Sequence, residues 1–175
     1  MIRLILILII LIIAAFLVYI YSGIYNIGAS MPHSEAVTWI FNTTKKYSVR
    51  KHAEDIQQAD IYDEKLVEAG FDHYDDMCSG CHGSPGEEPA QIFNPPPPAL
   101  AESRTGFNPS ELFWIVKNGI KMTGMPEFGS LHSDEDIWAI TAFLVKLPDM
   151  TRKQYAAMKE KSGTGHDEHS HDNDE

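Results

Sequence analysis

The chain has 175 residues, 43% of them hydrophobic, and its 14 basic and 25 acidic residues give a formal net charge of −11. That length allows one modest domain with appendages, and the acidic balance runs against the basic surface that nucleic-acid phosphates need, so no nucleic-acid partner is expected. The two cysteines, Cys78 and Cys81, stand too close in sequence to staple a large loop, which excludes a disulfide-built fold.

Residues 4–20 form an unbroken apolar run if Tyr19 is included, and residues 21–25 extend it. As a helix, roughly 20 residues at about 1.5 Å each cross a hydrocarbon core. Tyr19, Tyr21 and Tyr25 suit the interface between lipid and water, and Arg3 ahead of the run places the N-terminus in the cytoplasm. Gly28-Ala29-Ser30 offers small residues for a signal peptidase, but the run exceeds the roughly 7–15 residues of a signal core. An uncleaved anchor over residues 1–26 is therefore expected, with the remainder of the chain exported to the periplasmic side of an inner membrane.

Residues 27–60 read as a helical neck. Val37, Ile40, Phe41 and Thr44 share one helix face, and residues 50–58 read as a second, more polar stretch with Ala53 and Ile56 as its apolar positions. His33 and His52 fall here and read as solvated or structural. The compact domain is expected over residues 61–150. Residues 66–77 predict a helix running into the cysteine pair. A Gly/Pro-rich loop follows, with Pro95, Pro96, Pro97 and Pro98 in succession, because proline has no N–H with which to extend a helix.

Asn108 and Pro109 predict the next helix start, with Glu111 complementing the helix dipole. Leu112, Ile115 and Val116 supply its buried face, and Asn118-Gly119 ends it. Residues 121–131 are irregular. Ser133 and Asp136 form a capping-box pattern ahead of a helix that carries Ile137, Ile140, Thr141 and Leu144 and stops at Leu147-Pro148. A short helix over residues 151–161 follows. With no strand alternation and no internal repeat, the fold class is all-α.

Cys78-Ser79-Gly80-Cys81-His82 carries the chemistry. This spacing suits covalent haem attachment: two thiols reach two vinyl groups of one porphyrin, and the adjoining imidazole faces the iron. A thioredoxin-like dithiol wants a βαβ context, and a zinc site wants a second ligand pair. Neither is visible, and His73 and His132 form no standard pair. A methionine thioether as sixth ligand stabilises ferrous iron. Met125, framed by Gly124, Pro126 and Phe128-Gly129, is preferred over Met122, with core packing as the ordinary fate of either.

Taken together, Gly70-x-x-x-Tyr74-x-x-x-Cys78-x-x-Cys81-His82, the run Lys121-Met122-Thr123-Gly124-Met125-Pro126-Glu127-Phe128-Gly129, and Asp136-Ile137-Trp138-Ala139-Ile140-Thr141-Ala142-Phe143-Leu144 resemble the class I cytochromes c over about residues 61–148. The resemblance implies a class I cytochrome c fold behind an N-terminal transmembrane helix, and one covalently bound haem c with His82 and Met125 as axial ligands to its iron. It also implies that Gly70 permits a close helix crossing with Tyr74 and Trp138 around it, and that a proline carbonyl orients the His82 ring.

The function expected is single-electron transfer in a respiratory-type chain between redox proteins, with no catalytic residues. The alternatives are a haem subunit of a larger membrane oxidoreductase, quinol-oxidising or terminal oxidase, and a haem-based ligand sensor, which the Met125 loop opposes. Residues 162–175 are Gly, His and acidic residues and read as a disordered tail. His166, His169 and His171 are its candidate metal ligands, weighed against a merely solvated tail.

Overall fold

The computed structural model describes residues 1–168. The chain divides into two units, Met1–His33 and Ser34–Glu175. In the first, α1 (Ile2–Tyr21) carries no charged residue after Arg3 and has a mean hydropathy of 3.2. Among the described residues it is the one helix long and apolar enough to cross a membrane.

The second unit is helical: α2 (Glu35–Ala53), α3 (Glu64–Met77), the single turn α4 (Ser79–His82), α5 (Pro109–Asn118), α6 (Asp134–Lys146), a 3₁₀ turn (Leu147–Asp149) and α7 (Arg152–Glu168). Strand structure among the described residues is limited to an isolated bridge between Ser84 and Glu87. Local chemistry sets the helix starts. Asp63 accepts from the Lys65 N–H to start α3. Asn108 and Glu111 form a reciprocal capping box on α5, and Ser133 and Asp136 form another on α6.

α3 crosses α6 at Gly70, where an added Cβ would lie 1.9 Å from the Ala139 carbonyl oxygen and 2.9 Å from Phe143 Cβ. The crossing seals a core of Ile61, Val67, Phe71, Tyr74, Ala142, Phe143, Leu147 and Tyr155. A second cluster, Phe113, Val116, Ile137 and Ile140, joins α5 to α6. α6 is buried on both sides, so Ala139, Ala142 and Phe143 join Ile137, Ile140 and Thr141 inside, while Leu144 is only half-buried.

Three expectations change. One helix, α2, runs through the first stretch of the neck and ends at Ala53 inside the second, so residues 54–58 are not helical, and the division falls at residue 33, so α2 belongs to the second unit. Its buried positions are Val49 and Ala53, whereas Ile40, Phe41 and Thr44 are exposed. The reason is a partner the pattern did not reveal. Arg50 Nε meets the buried Glu111 carboxylate at 3.5 Å, and Ser110 Oγ donates to the Ile56 carbonyl at 3.1 Å, which docks the end of α2 on α5. Trp138 stacks on Phe113 at 4.3 Å between ring centroids and packs against both clusters, while the atoms nearest an added Gly70 Cβ belong to Ala139 and Phe143. Finally, α7 continues to Glu168 past the expected end at residue 161, since a formed helix extends at one hydrogen bond per residue. His169 and His171 lie outside the described residues, as does the rest of the tail from residue 169.

Candidate functional site

The sequence brings both thiols and the imidazole to the end of α3. Cys78 is the C-cap of α3, and its N–H bonds to the Tyr74 carbonyl at 2.9 Å. The turn of α4 then presents Cys81 and His82, with Cys81 and His82 N–H groups both on the Cys78 carbonyl. Cys78 and Cys81 are free thiols, half-buried. Burial, with a smaller contribution from Cys81, pushes the Cys78 thiol up to about 12. Tyr74, fully buried, donates to the Gly83 carbonyl at 2.7 Å and ties α3 to the chain just beyond His82. Burial likewise holds its phenol well above the usual range.

His82 Nδ1 lies 2.9 Å from the Pro98 carbonyl oxygen. A carbonyl only accepts, so the ring proton sits on Nδ1 and the lone pair on Nε2. Burial lowers the His82 pKa, opposed in part by the Pro98 bond. The imidazole is thus held neutral and aimed, the form that ligates a metal.

The second arm is the loop after α5. Gly119 (φ 64°) ends that helix, and an added Cβ there would meet the Pro126 backbone at 2.6 Å. Ile120 N–H donates to the Met125 carbonyl at 3.3 Å, Met125 N–H to Thr123 Oγ1 at 3.2 Å, and Thr123 Oγ1 to the Ile120 carbonyl at 2.7 Å. Gly129 N–H is anchored on the Lys117 carbonyl at 2.9 Å. Met125 is half-buried against the cluster of Phe113, Val116, Ile137 and Ile140, and Met77, the residue before Cys78, packs on the same cluster. Met122 is 84% exposed with φ 60°. The two methionines therefore differ in burial.

A family model described as cytochrome c oxidase, cbb3-type, subunit III matches residues 65–144, the span that holds both arms. The chain is a class I c-type cytochrome over this span. The cofactor of this family is covalently bound haem c. The donor set suits that group: two unpaired thiols, one neutral imidazole with Nε2 available, and a half-buried thioether.

Among solved structures, a chain of the reducing HAO-like protein complex of Kuenenia stuttgartiensis is 20% identical with a TM-score of 0.38, over 52% of the cytochrome and 50% of that chain. The cytochrome spans half the length of that relative. Cytochrome CL of the marine methylotroph Methylophaga aminisulfidivorans is 22% identical with a TM-score of 0.40, over 75% of the cytochrome and 83% of that chain. No curated protein matches the sequence.

Some features of the site escaped the sequence. Four successive prolines gave no ground for choosing Pro98. Phe93 closes on the methionine loop, its ring within 2.7 Å of where a Gly124 Cβ would sit, and nothing local marked that contact. His73 and His132 come together in a T-shaped contact at 5.5 Å, with His73 Nε2 3.6 Å from Asp136. Among the described residues no group of three or more His, Cys, Asp or Glu is arranged to hold a metal ion.

Proposed function

We propose that this chain is a membrane-tethered monohaem electron carrier, with Cys78 and Cys81 as the thioether links and His82 and Met125 as axial ligands. Bound haem supplies the one-electron ferrous–ferric couple. The observation that carries the reading is the Pro98 carbonyl on His82 Nδ1, which fixes the tautomer and leaves Nε2 to the iron. Met125 supplies a soft, neutral donor from a loop tied at both ends to α5, so little ordering is needed to present it. Tyr74 and Pro98 hold the chain on either side of His82, and the half-buried apolar side chains of Met77, Phe128 and Trp138 keep water from the site. α1 anchors the chain, the cytochrome domain faces the periplasm, and redox proteins of a respiratory chain are the partners.

Met125→Ala abolishes the far-red charge-transfer band of ferric His/Met haem, while Met122→Ala leaves it in place. An unchanged spectrum in Met125→Ala refutes the ligand assignment.

A second reading, a haem subunit of a larger membrane oxidoreductase, is favoured by the oxidase-subunit description of the matching family. Purification from membranes in mild detergent separates the two: a stoichiometric oxidoreductase partner supports the subunit, and a cytochrome recovered alone supports the carrier.

A further inference from the structure

Gly124 is a glycine for a reason its backbone does not supply. Unlike Gly83 and Gly119, it does not lie in the left-handed region that favours glycine. What excludes a side chain is Phe93. The ring lies where that side chain would project, with Cδ1 2.7 Å, Cε1 2.8 Å and Cγ 3.5 Å from an added Cβ. The three atoms nearest that Cβ thus all belong to one ring, and the ring itself is half-buried. Phe93 comes from the loop that serves the other axial side of the site. It stands five positions before Pro98, whose carbonyl lies 2.9 Å from His82 Nδ1. Four of those five positions are proline, whose fixed φ leaves the segment little freedom. Residues 93–98 are therefore a stiff strap, at most roughly 18 Å long. One end sits on the residue before Met125, and the other delivers the carbonyl that orients His82.

We propose that Phe93 is a positioning residue for Met125: its ring, seated on Gly124, latches the methionine loop closed and sets how readily another ligand displaces the thioether. The inference rests on Met125 as an axial ligand. The hydrogen bonds of the loop run within it and back to α5, through Ile120 with Met125 and Gly129 with Lys117. The Phe93 contact adds a tie to the His82 side. A ring pressed on the residue before Met125 resists the outward swing that exchange of the thioether requires. Glycine at position 124 is what lets the ring seat.

The test titrates imidazole into the ferric holoprotein and follows the far-red charge-transfer band of His/Met ligation, with urea unfolding measured alongside. Phe93→Ala binds imidazole about tenfold more tightly than the parent, the scale of a half-buried ring lost from its contact. Phe93→Tyr, which keeps the ring, binds it as the parent does. Gly124→Ala tightens binding several-fold by displacing the ring, yet adds nothing when combined with Phe93→Ala, because the ring it would meet is gone. Should Phe93→Ala not fold, Phe93→Leu gives an intermediate tightening and carries the test. Imidazole affinity unchanged in the truncated variants, with or without a loss of stability, overturns the inference and leaves Met125 as the ligand. Equal effects of Gly124→Ala with and without the ring also overturn it, because the glycine then answers to another neighbour. A band that survives Met125→Ala removes the ligand assignment and the inference with it.

Discussion

Replacing Gly70 with alanine tests the helix crossing that sets the haem-binding arm against α6. The new Cβ would fall 1.9 Å from the Ala139 oxygen, 2.5 Å from the Ala139 carbonyl carbon and 2.9 Å from Phe143 Cβ, where ordinary contact begins at 3.4 Å. Two of these neighbours are backbone of a buried helix, so no side-chain rotation relieves them. Overpacking of this kind costs about 1–3 kcal/mol, and more where backbone must shift. Alanine in place of glycine returns up to about 1 kcal/mol of helix propensity. The net expectation is a loss of about 2–3 kcal/mol, which lowers Tm by about 6–15 °C for a unit of this size. Thermal unfolding of the holoprotein, followed by far-UV circular dichroism, measures it. Gly80→Ala is the control: nothing lies within 4 Å of its added Cβ, so stability changes by less than about 0.5 kcal/mol. A Gly70→Ala protein as stable as the parent refutes the close crossing.

Other perturbations probe the supports of the same unit. Asp136 is held below the usual carboxylate range, mainly by its hydrogen bond from the Ser133 hydroxyl and then from the Ser133 N–H. Because the folded state favours its charged form, its contribution is present above the unfolded carboxylate pKa and is lost as pH falls through the depressed value. The cap itself is worth about 1 kcal/mol, so Ser133→Ala lowers denaturant stability by about that much at neutral pH, and the deficit shrinks in acid. An equal deficit at all pH values contradicts the linkage. Tyr155 is buried and donates to Asp75 at 2.8 Å. Tyr155→Phe keeps the ring contacts with Phe71 and Phe143 and removes only the hydroxyl. The loss is about 0.5–1.5 kcal/mol by urea titration, and no loss means the bond to Asp75 is not maintained in solution.

Signals contained within a few residues were legible in the sequence. Asn108 with Glu111, and Ser133 with Asp136, specify helix starts through contacts three residues apart, and both capping boxes are present. The adjacency of Cys78, Cys81 and His82 is likewise covalent. What escaped depends on chain segments meeting from afar. The pairing of Arg50 with Glu111 decides that α2 docks, yet each residue alone reads as an exposed helix charge. Pro98 differs from its three neighbours only in which carbonyl the loop delivers to His82, 16 residues earlier. Trp138 stacks on Phe113 across the α5–α6 contact, a partner 25 residues away in sequence that no local pattern marks. The misread face of α2 has a physical cause too: its apolar positions near the start are exposed, so periodicity marked a face that the core does not use.

The most direct test of the account is the mass of the denatured polypeptide made in a host that matures c-type cytochromes. The account predicts one haem mass retained after denaturation, reduced to a single-link species in Cys78→Ala or Cys81→Ala and lost in the double variant. A folded, full-length chain that carries no covalent haem contradicts it.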